Sequence, residues 1–565
     1  MKITDLAFIP GSSPASTGPL SRFLPPLPDG MVTNWLNQTH QKGDLLLDPF
    51  GASPNLAIQA ARAGYRILVA ANNPILRFLY ELESSAPSRE ELIGALSELA
   101  STKKGEERLE KHIHSLYQSN CPKCKHLIQV EFYLWKKGET VPFAKWVNCP
   151  SCKERGEFDL DEHDHEKLQQ ISGSGLHRAR ALERVAVLDD PIRPDVQEAL
   201  DSYLPRPLYV ISTLINKIEG LHTTQRRKNL LTGMVMQACD RGNTLWAYPT
   251  SRPRPKQLTI PSCFRENNLW ISLEQAIDQF TATEPAVALR NWPEMPPQTG
   301  GITIFEGRMK ELVERIDPGE IKGVLTVIPR QNQAFWTLSA LWTGWLWGRE
   351  AVSPLRSVLT RRRYDWSLYT SAICSTLKSL QSSLPENLPV FFLIPELESS
   401  FIAAVTLASG IAGLKYKGLA IQDDQRFGQI YWHTSSKPEL PGLKSTPTDI
   451  RAAVESLLQK RAEPTSFLLL QAAIISSLVN QPSSQPTKIE PVHVVYTKIQ
   501  SDIQNHFSSA KYLSRYGGGE HTFETNSWWK PGLSTSDLPV SDRIEMELVR
   551  YLLDHPCTRK QDLET

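Results

Sequence analysis

One segment near the N-terminus constrains the fold more than any other: residues 45–74, which read LLLDPFGASPNLAIQAARAGYRILVAANNP. Three leucines at 45–47 predict the end of a strand that is buried on both faces, and Gly51 predicts a turn into a helix. Gly64 predicts the end of that helix, and the apolar run at 65–71 predicts a second strand. Such a strand–helix–strand unit requires a larger, helix-covered sheet with a ligand crevice at the carboxyl ends of its strands.

The two close pairs of cysteines are the most specific local signal in the sequence. They flank two strand-like runs, FYLWKK at 132–137 and AKWVN at 144–148. A hairpin between these runs would bring both pairs together around one tetrahedral zinc ion, and four thiolates leave no open coordination position. The sequence therefore predicts a zinc ribbon with a structural metal. Its predicted ligands are Cys121, Cys124, Cys149 and Cys152.

Nearby histidines are alternative ligands for this metal. They are His126 and the histidines of the DEHDH run at 161–165. Four cysteines already saturate a structural zinc site, and a run of mixed charges is typical of a solvated surface. We therefore expect residues 161–165 to form an exposed acidic surface.

Composition limits where such a protein works and what it can bind. A chain of 565 residues exceeds what one hydrophobic core usually supports, so we expect several domains. No apolar run is long enough to cross a bilayer, and the N-terminus lacks a basic segment followed by an apolar one. This predicts a cytoplasmic protein with no membrane partner. The net charge of +1 provides no global attraction to nucleic acid, so any surface that binds it must be local.

Residues 45–74 resemble the cofactor motif of DNA methyltransferases. In that family an Asp-Pro-Phe-x-Gly turn precedes the helix and Asp-x-Asn-Pro closes the next strand, whereas here the turn glycine comes one residue early. The resemblance implies a Rossmann-like sheet that binds S-adenosylmethionine at these strand ends. The residues that it assigns to the cofactor are Asp48, Pro49, Phe50, Gly51, Asn73 and Pro74.

Two positions in the same segment depart from the family motif. Pro54 stands where the family has another glycine, and Ala71 stands where it has the acid that binds the ribose. Alanine cannot accept hydrogen bonds from the ribose hydroxyls, so we expect weaker cofactor binding, with Asn72 as a partial substitute. A strand–helix–strand unit without a ligand is the alternative.

A second motif of the family is expected where KGVLTVIPRQNQ, residues 322–333, predicts a strand followed by a helix. The family has Asn/Asp-Pro-Pro-Tyr/Phe at the strand end, where polar groups accept hydrogen bonds from the target amine and the ring stacks on a flipped base. This chain has VIPRQ at 327–331, so one proline remains and the ring is missing. The resemblance leaves as catalytic candidates Pro329, Gln331 and, with a shifted register, Asn332.

Two basic stretches are candidates for contact with nucleic acid, for which the resemblance implies DNA. The first alternates with prolines, which predicts an extended strip facing phosphates, with a solvated loop as the alternative. The second has three consecutive arginines, which cannot share one face, so we expect one or two of them to reach a phosphate. The candidate residues are Arg252, Arg254, Lys256, Arg361, Arg362 and Arg363.

The order of these patterns predicts a methyltransferase-like sheet that is split by insertions. A zinc ribbon soon after the cofactor motif is similar to the arrangement in large adenine-specific DNA methylases. The tail at 541–564 resembles the beginning of a winged helix without its wing, so we expect either a truncated chain or a partner protein that completes it. The predicted regions are 1–105, the first half of the methyltransferase-like domain; 106–172, the zinc ribbon; 173–300, a helical region with the basic strip; 301–440, the second half of the domain; and 441–565, a mainly helical region.

Two functions remain open from the sequence. The first is an S-adenosylmethionine-dependent methyltransferase that acts on the amino group of adenine or cytosine in DNA. The second is a non-catalytic nucleic-acid-binding or scaffolding subunit that has kept the fold, as the departures at Pro54, Ala71 and the second motif indicate. A helicase is not indicated, because the sequence has no lysine-containing phosphate loop.

Overall fold

The computed structural model has a mixed α/β architecture, which confirms the predicted fold class at that level. Within the described residues it contains twenty α-helices and eighteen strands. No helix in this part of the chain combines the length and hydropathy that a membrane crossing requires. The structure describes residues 7–12, 18–24, 27–172, 175–250, 255–360, 365–422, 427–435, 443, 445–481, 490–517, 525–535, 537–556 and 558.

The strands are numbered in chain order. They are β1 Leu45–Asp48, β2 Arg66–Ala71, β3 Lys103–Lys104, β4 Glu107–Arg108, β5 Gln118–Asn120, β6 Leu127–Lys136, β7 Ala144–Asn148, β8 Arg155–Phe158, β9 Cys263–Asn267, β10 Leu289–Asn291, β11 Gly301–Glu306, β12 Ile321–Val327, β13 Pro389–Ile394, β14 Lys415–Gln422, β15 Phe427–His433, β16 Thr465–Ser466, β17 Ser514–Tyr516 and β18 Ser527–Trp529.

The α-helices are numbered in the same way. They are α1 Met31–Thr39, α2 Pro54–Arg62, α3 Pro74–Ser84, α4 Arg89–Ser101, α5 Leu109–Ser115, α6 Glu162–Ser172, α7 Gly175–Glu183, α8 Arg193–Ala199, α9 Pro205–Glu219, α10 Gln225–Arg241, α11 Leu269–Phe280, α12 Met309–Val313, α13 Gln333–Trp347, α14 Arg356–Leu359, α15 Trp366–Ser383, α16 Ser399–Ile411, α17 Pro447–Arg461, α18 Phe467–Asn480, α19 Val492–Ser509 and α20 Val540–Asp554.

The opening segment folds as its pattern predicts. All four residues of β1 are buried, α2 follows the turn, and β2 runs parallel to β1. Successive leucines of β1 point to opposite faces of the sheet, so both faces are covered by apolar side chains. Pro54 occupies the first turn of α2, where a backbone N–H has no helical partner in any case, so proline is well tolerated there.

One mixed sheet organises the molecule. Its eight strands lie in the order β10-β11-β2-β1-β12-β13-β15-β14. The first six are parallel, and β15 runs antiparallel to both of its neighbours, β13 and β14. From β1 the chain adds β2 and β11 on one side and then β12 and β13 on the other, so the direction of addition reverses between β1 and β12. In open parallel sheets, ligands bind outside the carboxyl ends of the strands at such a reversal.

A second sheet carries the cysteine pairs. β5, β6, β7 and β8 pair in sequence as antiparallel neighbours, which confirms the predicted hairpin. β9 lies at the end of the proline-rich segment that interrupts the predicted helices of region 173–300, and it pairs with β6. This pairing joins the ribbon to the helical region, and the two share one hydrophobic core that includes Tyr133, Trp270 and Trp342.

The C-terminal region packs on the helices that cover the main sheet. α18 and α19 contact α16, α19 also contacts α15, and α17 contacts both α18 and α19. β16, β18 and β17 form a small antiparallel sheet in that order. α20, in the tail that resembled the beginning of a winged helix, has no buried side chain.

Candidate functional sites: a strand-end crevice and a four-cysteine cluster

Two turns place the four cysteines around one point. Cys121 and Cys124 lie between β5 and β6, and Cys149 and Cys152 lie between β7 and β8. All four Sγ atoms lie within 4.8 Å of one another. The Sγ atoms of Cys121 and Cys152 are 3.6 Å apart, and those of Cys124 and Cys149 are 3.7 Å apart. This cluster could bind one metal ion, and four sulfur ligands are compatible with zinc.

The two cysteine turns have the same local structure. In each, the residue after the second cysteine donates its N–H to the carbonyl of the first at 3.0 Å, Lys125 to Cys121 and Lys153 to Cys149. Both lysines have a positive φ, of 59° and 61°. Backbone N–H groups, that of Cys124 foremost, lower the pKa of the Cys121 thiol to about 6. The thiolate is the form of cysteine that binds a metal.

The alternative ligands lie outside this cluster. His126 and His165 are exposed. Asp164 is fully buried: its Oδ2 lies 2.5 Å from Nζ of Lys145, which is itself buried, and its Oδ1 accepts a hydrogen bond from the Tyr133 hydroxyl. The expected exposed acidic surface is therefore wrong at Asp164, because a buried lysine from β7 neutralises this carboxylate.

The crevice between β1 and β12 is built around the carboxylate of Asp48, which is fully buried at the end of β1. Its Oδ1 accepts hydrogen bonds from the N–H groups of Phe50 and Gly51, at 3.1 and 3.0 Å. It accepts a third from the hydroxyl of Thr326 in β12, at 2.6 Å. Its Oδ2 is buried and accepts no hydrogen bond within the described residues. Burial raises the pKa of Asp48 to about 6, although these donors favour the charged form.

The turn after β1 lies directly against the end of β2. Gly51 has a φ of +54°, and a Cβ atom there would lie 2.9 Å from both the carbonyl oxygen of Ala70 and Cγ1 of Val69. A larger residue would displace β2, so glycine is required at this position. Phe50 is half-buried beside the same turn.

The remaining residues of the predicted cofactor motif have structural roles. Pro49 is buried in the turn. Asn73 caps α3, because its side-chain oxygen accepts a hydrogen bond from the N–H of Ile75 at 2.9 Å, and Pro74 occupies the first turn of that helix. These contacts fix the backbone at both strand ends.

A carboxylate from the neighbouring strand stands beside Ala71. β11 runs parallel to β2, and its last residue, Glu306, is in register with Ala71. The Glu306 side chain is 73% exposed and forms an ion pair with Arg77. Asn72 is half-buried, and its side chain makes no hydrogen bond within the described residues. An acid therefore stands at the end of the neighbouring strand, in register with Ala71.

The end of β12 is held by internal contacts. The Arg330 guanidinium, 10% exposed, forms ion pairs with Glu396 and Glu398. Asn332 caps α13, because its Oδ1 accepts a hydrogen bond from the N–H of Phe335 at 2.9 Å. Phe335 is buried in the hydrophobic core. The side chains of Arg330 and Asn332 are thus engaged by the protein itself.

A cavity of about 200 Å³ lies against the same strand end. Three aromatic rings line it: Phe50, Trp336 and Tyr369. Pro329 and Gln331 also line it, and the Gln331 side chain makes no hydrogen bond within the described residues. The structure thus brings two of the catalytic candidates together with rings from other elements.

Of the six predicted phosphate-binding residues, one lies within the described part of the chain. Lys256 places its Nζ 2.9 Å from the Glu398 carboxylate, which also binds Arg330. Its charge is therefore already paired, although a half-exposed ion pair of this kind exchanges partners at little cost. The residues that lie outside the described part are Arg252, Arg254, Arg361, Arg362 and Arg363.

Two residues of the crevice were not identified from the sequence, Glu306 and Trp336. The run GITIF at 301–305, bounded by glycine and an acid, has the composition of a short strand and would have indicated Glu306 as a strand-end carboxylate. Trp336 carries no such signal, because its helical spacing from later tryptophans indicates core packing.

No protein-family model, curated protein or solved structure matches the chain. These comparisons therefore add no residue role to those that the structure shows. The crevice and the cysteine cluster are the basis for the proposed function.

Asp48 should make the stability of the fold depend on pH. Its pKa rises from the ordinary value of 3.8 to about 6 in the fold, so folding favours the protonated carboxyl. The resulting stabilisation is complete below the unfolded pKa and is lost as the pH rises through about 6. It amounts to about 3 kcal/mol in the free energy of unfolding.

Urea unfolding of the wild type and of Asp48→Asn at several pH values measures this effect. The free energy of unfolding of the wild type, relative to the variant, should fall between about pH 4 and pH 7. Asp44→Asn, which changes a carboxylate just before β1, is the control and should show no such trend. If the free energies of unfolding of the wild type and Asp48→Asn differ by the same amount at every pH, Asp48 ionises normally.

Proposed function

We propose that this chain is a methyltransferase-like protein with a Rossmann-like sheet, whose crevice between β1 and β12 binds S-adenosylmethionine. The observation that carries the proposal is the buried Oδ2 of Asp48 at the strand reversal, which has no donor in the described residues. An unsatisfied buried acceptor costs about 1–3 kcal/mol, and the cationic amino group of this cofactor would satisfy it once the groups that cover the Oδ2 atom move aside. The six neighbouring parallel strands of the main sheet, with the reversal between β1 and β12, support the Rossmann-like fold that the sequence resemblance implies.

The side chains at the strand ends suit the polar groups of this cofactor. The Oδ2 of Asp48 suits its ammonium group. Glu306 and Asn72 both adjoin Ala71 and suit the two ribose hydroxyls, as a charged and a neutral acceptor. Alanine at position 71 then leaves the ribose site in place, because β11 supplies the carboxylate.

The adjoining cavity suits a target base. S-adenosylmethionine, when bound, supplies an activated methyl group, so the accepting amine must lie at the end of β12. Phe50 and Trp336 offer ring faces for a base that has left the duplex, and Oε1 of Gln331 can accept a hydrogen bond from its exocyclic amine. We therefore propose adenine or cytosine in DNA as the substrate class.

We further propose that the four-cysteine cluster holds a structural zinc ion. Four thiolates in two equivalent turns give a closed tetrahedral site without an open position for catalysis. Thiolate sites of this kind persist in reducing compartments, which supports the proposal of a cytoplasmic protein.

A second function, a non-catalytic DNA-binding or scaffolding subunit, is favoured by one observation. Arg330 lies at the end of β12 and is anchored there by Glu396 and Glu398. A guanidinium has N–H donors and no acceptor, so it cannot accept a hydrogen bond from the target amine as the polar groups of the family motif do. With Arg330 in place, the crevice could hold cofactor and base without transfer.

Methyl transfer separates these two functions. With radiolabelled S-adenosylmethionine and mixed-sequence DNA, we expect the wild type to label the exocyclic amine of adenine or cytosine. Gln331→Ala should lower kcat about a hundredfold, because the acceptor that positions the amine is removed. Gln333→Ala, at the start of α13, is the matched control and should retain the wild-type rate.

Trp336→Ala tests the stacking ring in the same assay. It should raise KM for DNA and lower kcat, because the base loses one ring face. Trp347→Ala, at the other end of α13, is the matched control. Cofactor binding by the wild type without any transfer to DNA would establish the non-catalytic function instead.

A further inference from the structure

In the described part of residues 447–529, six elements follow one another in the order helix, strand, helix, helix, strand, strand. These are α17, β16, α18, α19, β17 and β18, and the three strands form one antiparallel sheet with β18 in the middle. This order and this sheet are those of a complete winged helix, a helix-turn-helix variant whose third helix enters the DNA major groove. We propose that residues 447–529 form a winged-helix module that binds duplex DNA through the exposed face of α19.

One face of α19 anchors the helix to the rest of the protein. Val495, Ile499, Ile503 and Phe507 recur every four residues and are buried. Their packing belongs to the core that contains α15 and α16. The helix is therefore held rigidly, with its opposite face towards solvent, as a helix that enters a groove requires.

The exposed face of α19 has an unusual composition for a solvated helix. It contains one charged side chain and no acid, whereas a solvated face ordinarily mixes lysine with glutamate. Most of its other side chains are amides and hydroxyls, which form hydrogen bonds with base edges in the major groove. The exposed residues are His493, Val494, Thr497, Lys498, Ser501, Gln504, Asn505, Ser508 and Ser509.

The charges around this face suit phosphates. Lys498 on α19 and Lys511 just after it are exposed, and neither forms an ion pair within the described residues. Asp502, the acid of α19, is half-buried and accepts a hydrogen bond from the Ser445 hydroxyl. Unpaired lysines beside a hydrogen-bonding face provide the phosphate contacts that position a reading helix.

This module accounts for a DNA partner independently of the crevice. The tail at 541–564 resembles only the beginning of a winged helix, whereas the six elements of this module precede α20. The proposal requires neither cofactor binding nor methyl transfer at the end of β12. A test of DNA binding by this module can therefore succeed or fail independently of the tests of cofactor binding and methyl transfer.

Binding of a labelled, mixed-sequence duplex of about 24 base pairs, measured by fluorescence anisotropy, tests the proposal. Lys498→Glu should weaken binding at least about tenfold and lower the slope of log affinity against log salt by about 1–2, because a phosphate contact is lost. Lys310→Glu, which changes an exposed lysine of α12, is the matched control and should bind as the wild type does. All these side chains are exposed, so circular dichroism should show intact folds.

Base contacts are tested with the double variant Gln504→Ala/Asn505→Ala. Against a duplex selected from a random pool by the wild type, it should lose about tenfold in affinity with an unchanged salt slope, because base contacts release no counterions. Wild-type duplex affinity in both α19 variants would overturn the proposal, and so would tighter binding of single-stranded than of duplex DNA. S-adenosylmethionine affinity, measured in the same preparations, should equal that of the wild type, which separates this module from the crevice.

Discussion

Replacement of Cys121 by serine should release the metal and unfold the sheet that carries it. Serine supplies no thiolate, so the four-cysteine cluster keeps three strong ligands. Binding of a structural zinc is linked to folding by about 10–16 kcal/mol in small ribbons, which is comparable with the whole stability of a domain. Metal content per chain and hydrogen exchange in β6 and β7 measure the two effects.

Cys263→Ser is the matched control for this experiment. Cys263 begins β9 in the same sheet but lies outside the four-cysteine cluster. This variant should keep one metal ion per chain and wild-type protection of β6. If wild-type protein that was prepared without chelators contains no metal, the proposal of a metal site is contradicted.

Replacement of Arg206 by methionine should lower the free energy of unfolding by about 3–5 kcal/mol. The Arg206 and Glu266 side chains are 3% and 1% exposed, and two hydrogen bonds of 2.6 and 2.8 Å join them. Glu266 also accepts a hydrogen bond from Nε1 of Trp135 at 2.8 Å. Without the arginine its carboxylate remains buried with no counter-charge, and α9 loses its link to β9.

A second substitution distinguishes two contributions to the loss in free energy of unfolding, the unpaired buried charge and the lost packing. Glu266→Leu, added to Arg206→Met, should recover much of the loss, because no unpaired charge remains. Arg226→Ala breaks an exposed ion pair with Glu91 and should cost less than about 1 kcal/mol. Urea denaturation followed by tryptophan fluorescence compares the variants. If Arg206→Met and Arg226→Ala lower the free energy of unfolding equally, the buried ion pair does not stabilise the fold more than the exposed one.

The strands of the main sheet were predictable where they are buried on both faces. β1, β2, β12 and β13 are short apolar runs between turn signals. Such runs are typical of strands that are buried on both faces of a sheet. β11 was not predicted, although its apolar run at 301–305 has the composition of a short strand. Because β11 was not predicted, Glu306, the carboxylate in register with Ala71, was not identified as a candidate.

Contacts between distant segments could not be predicted in the same way. Asp164 lies in a polar run that is typical of a solvated surface, and only the fold brings Lys145 against it. The pairing of β9 with β6, and the register of Glu306 with Ala71, depend on which strand lies alongside. A local pattern contains no such information, because register is set by the packed sheet.

The claim that the crevice binds S-adenosylmethionine is tested most directly by titration calorimetry with the cofactor. The wild type should bind one molecule per chain, and Glu306→Gln should weaken binding about tenfold, because a charged acceptor for the ribose becomes neutral. Glu294→Gln, an exposed acid outside the crevice, is the control and should bind as the wild type does. The affinity of the wild type should rise as the pH increases through about 6, as Asp48 ionises, and Asp48→Asn should abolish this rise. No heat of binding by the wild type at millimolar cofactor, or equal affinity in all variants, would contradict the account.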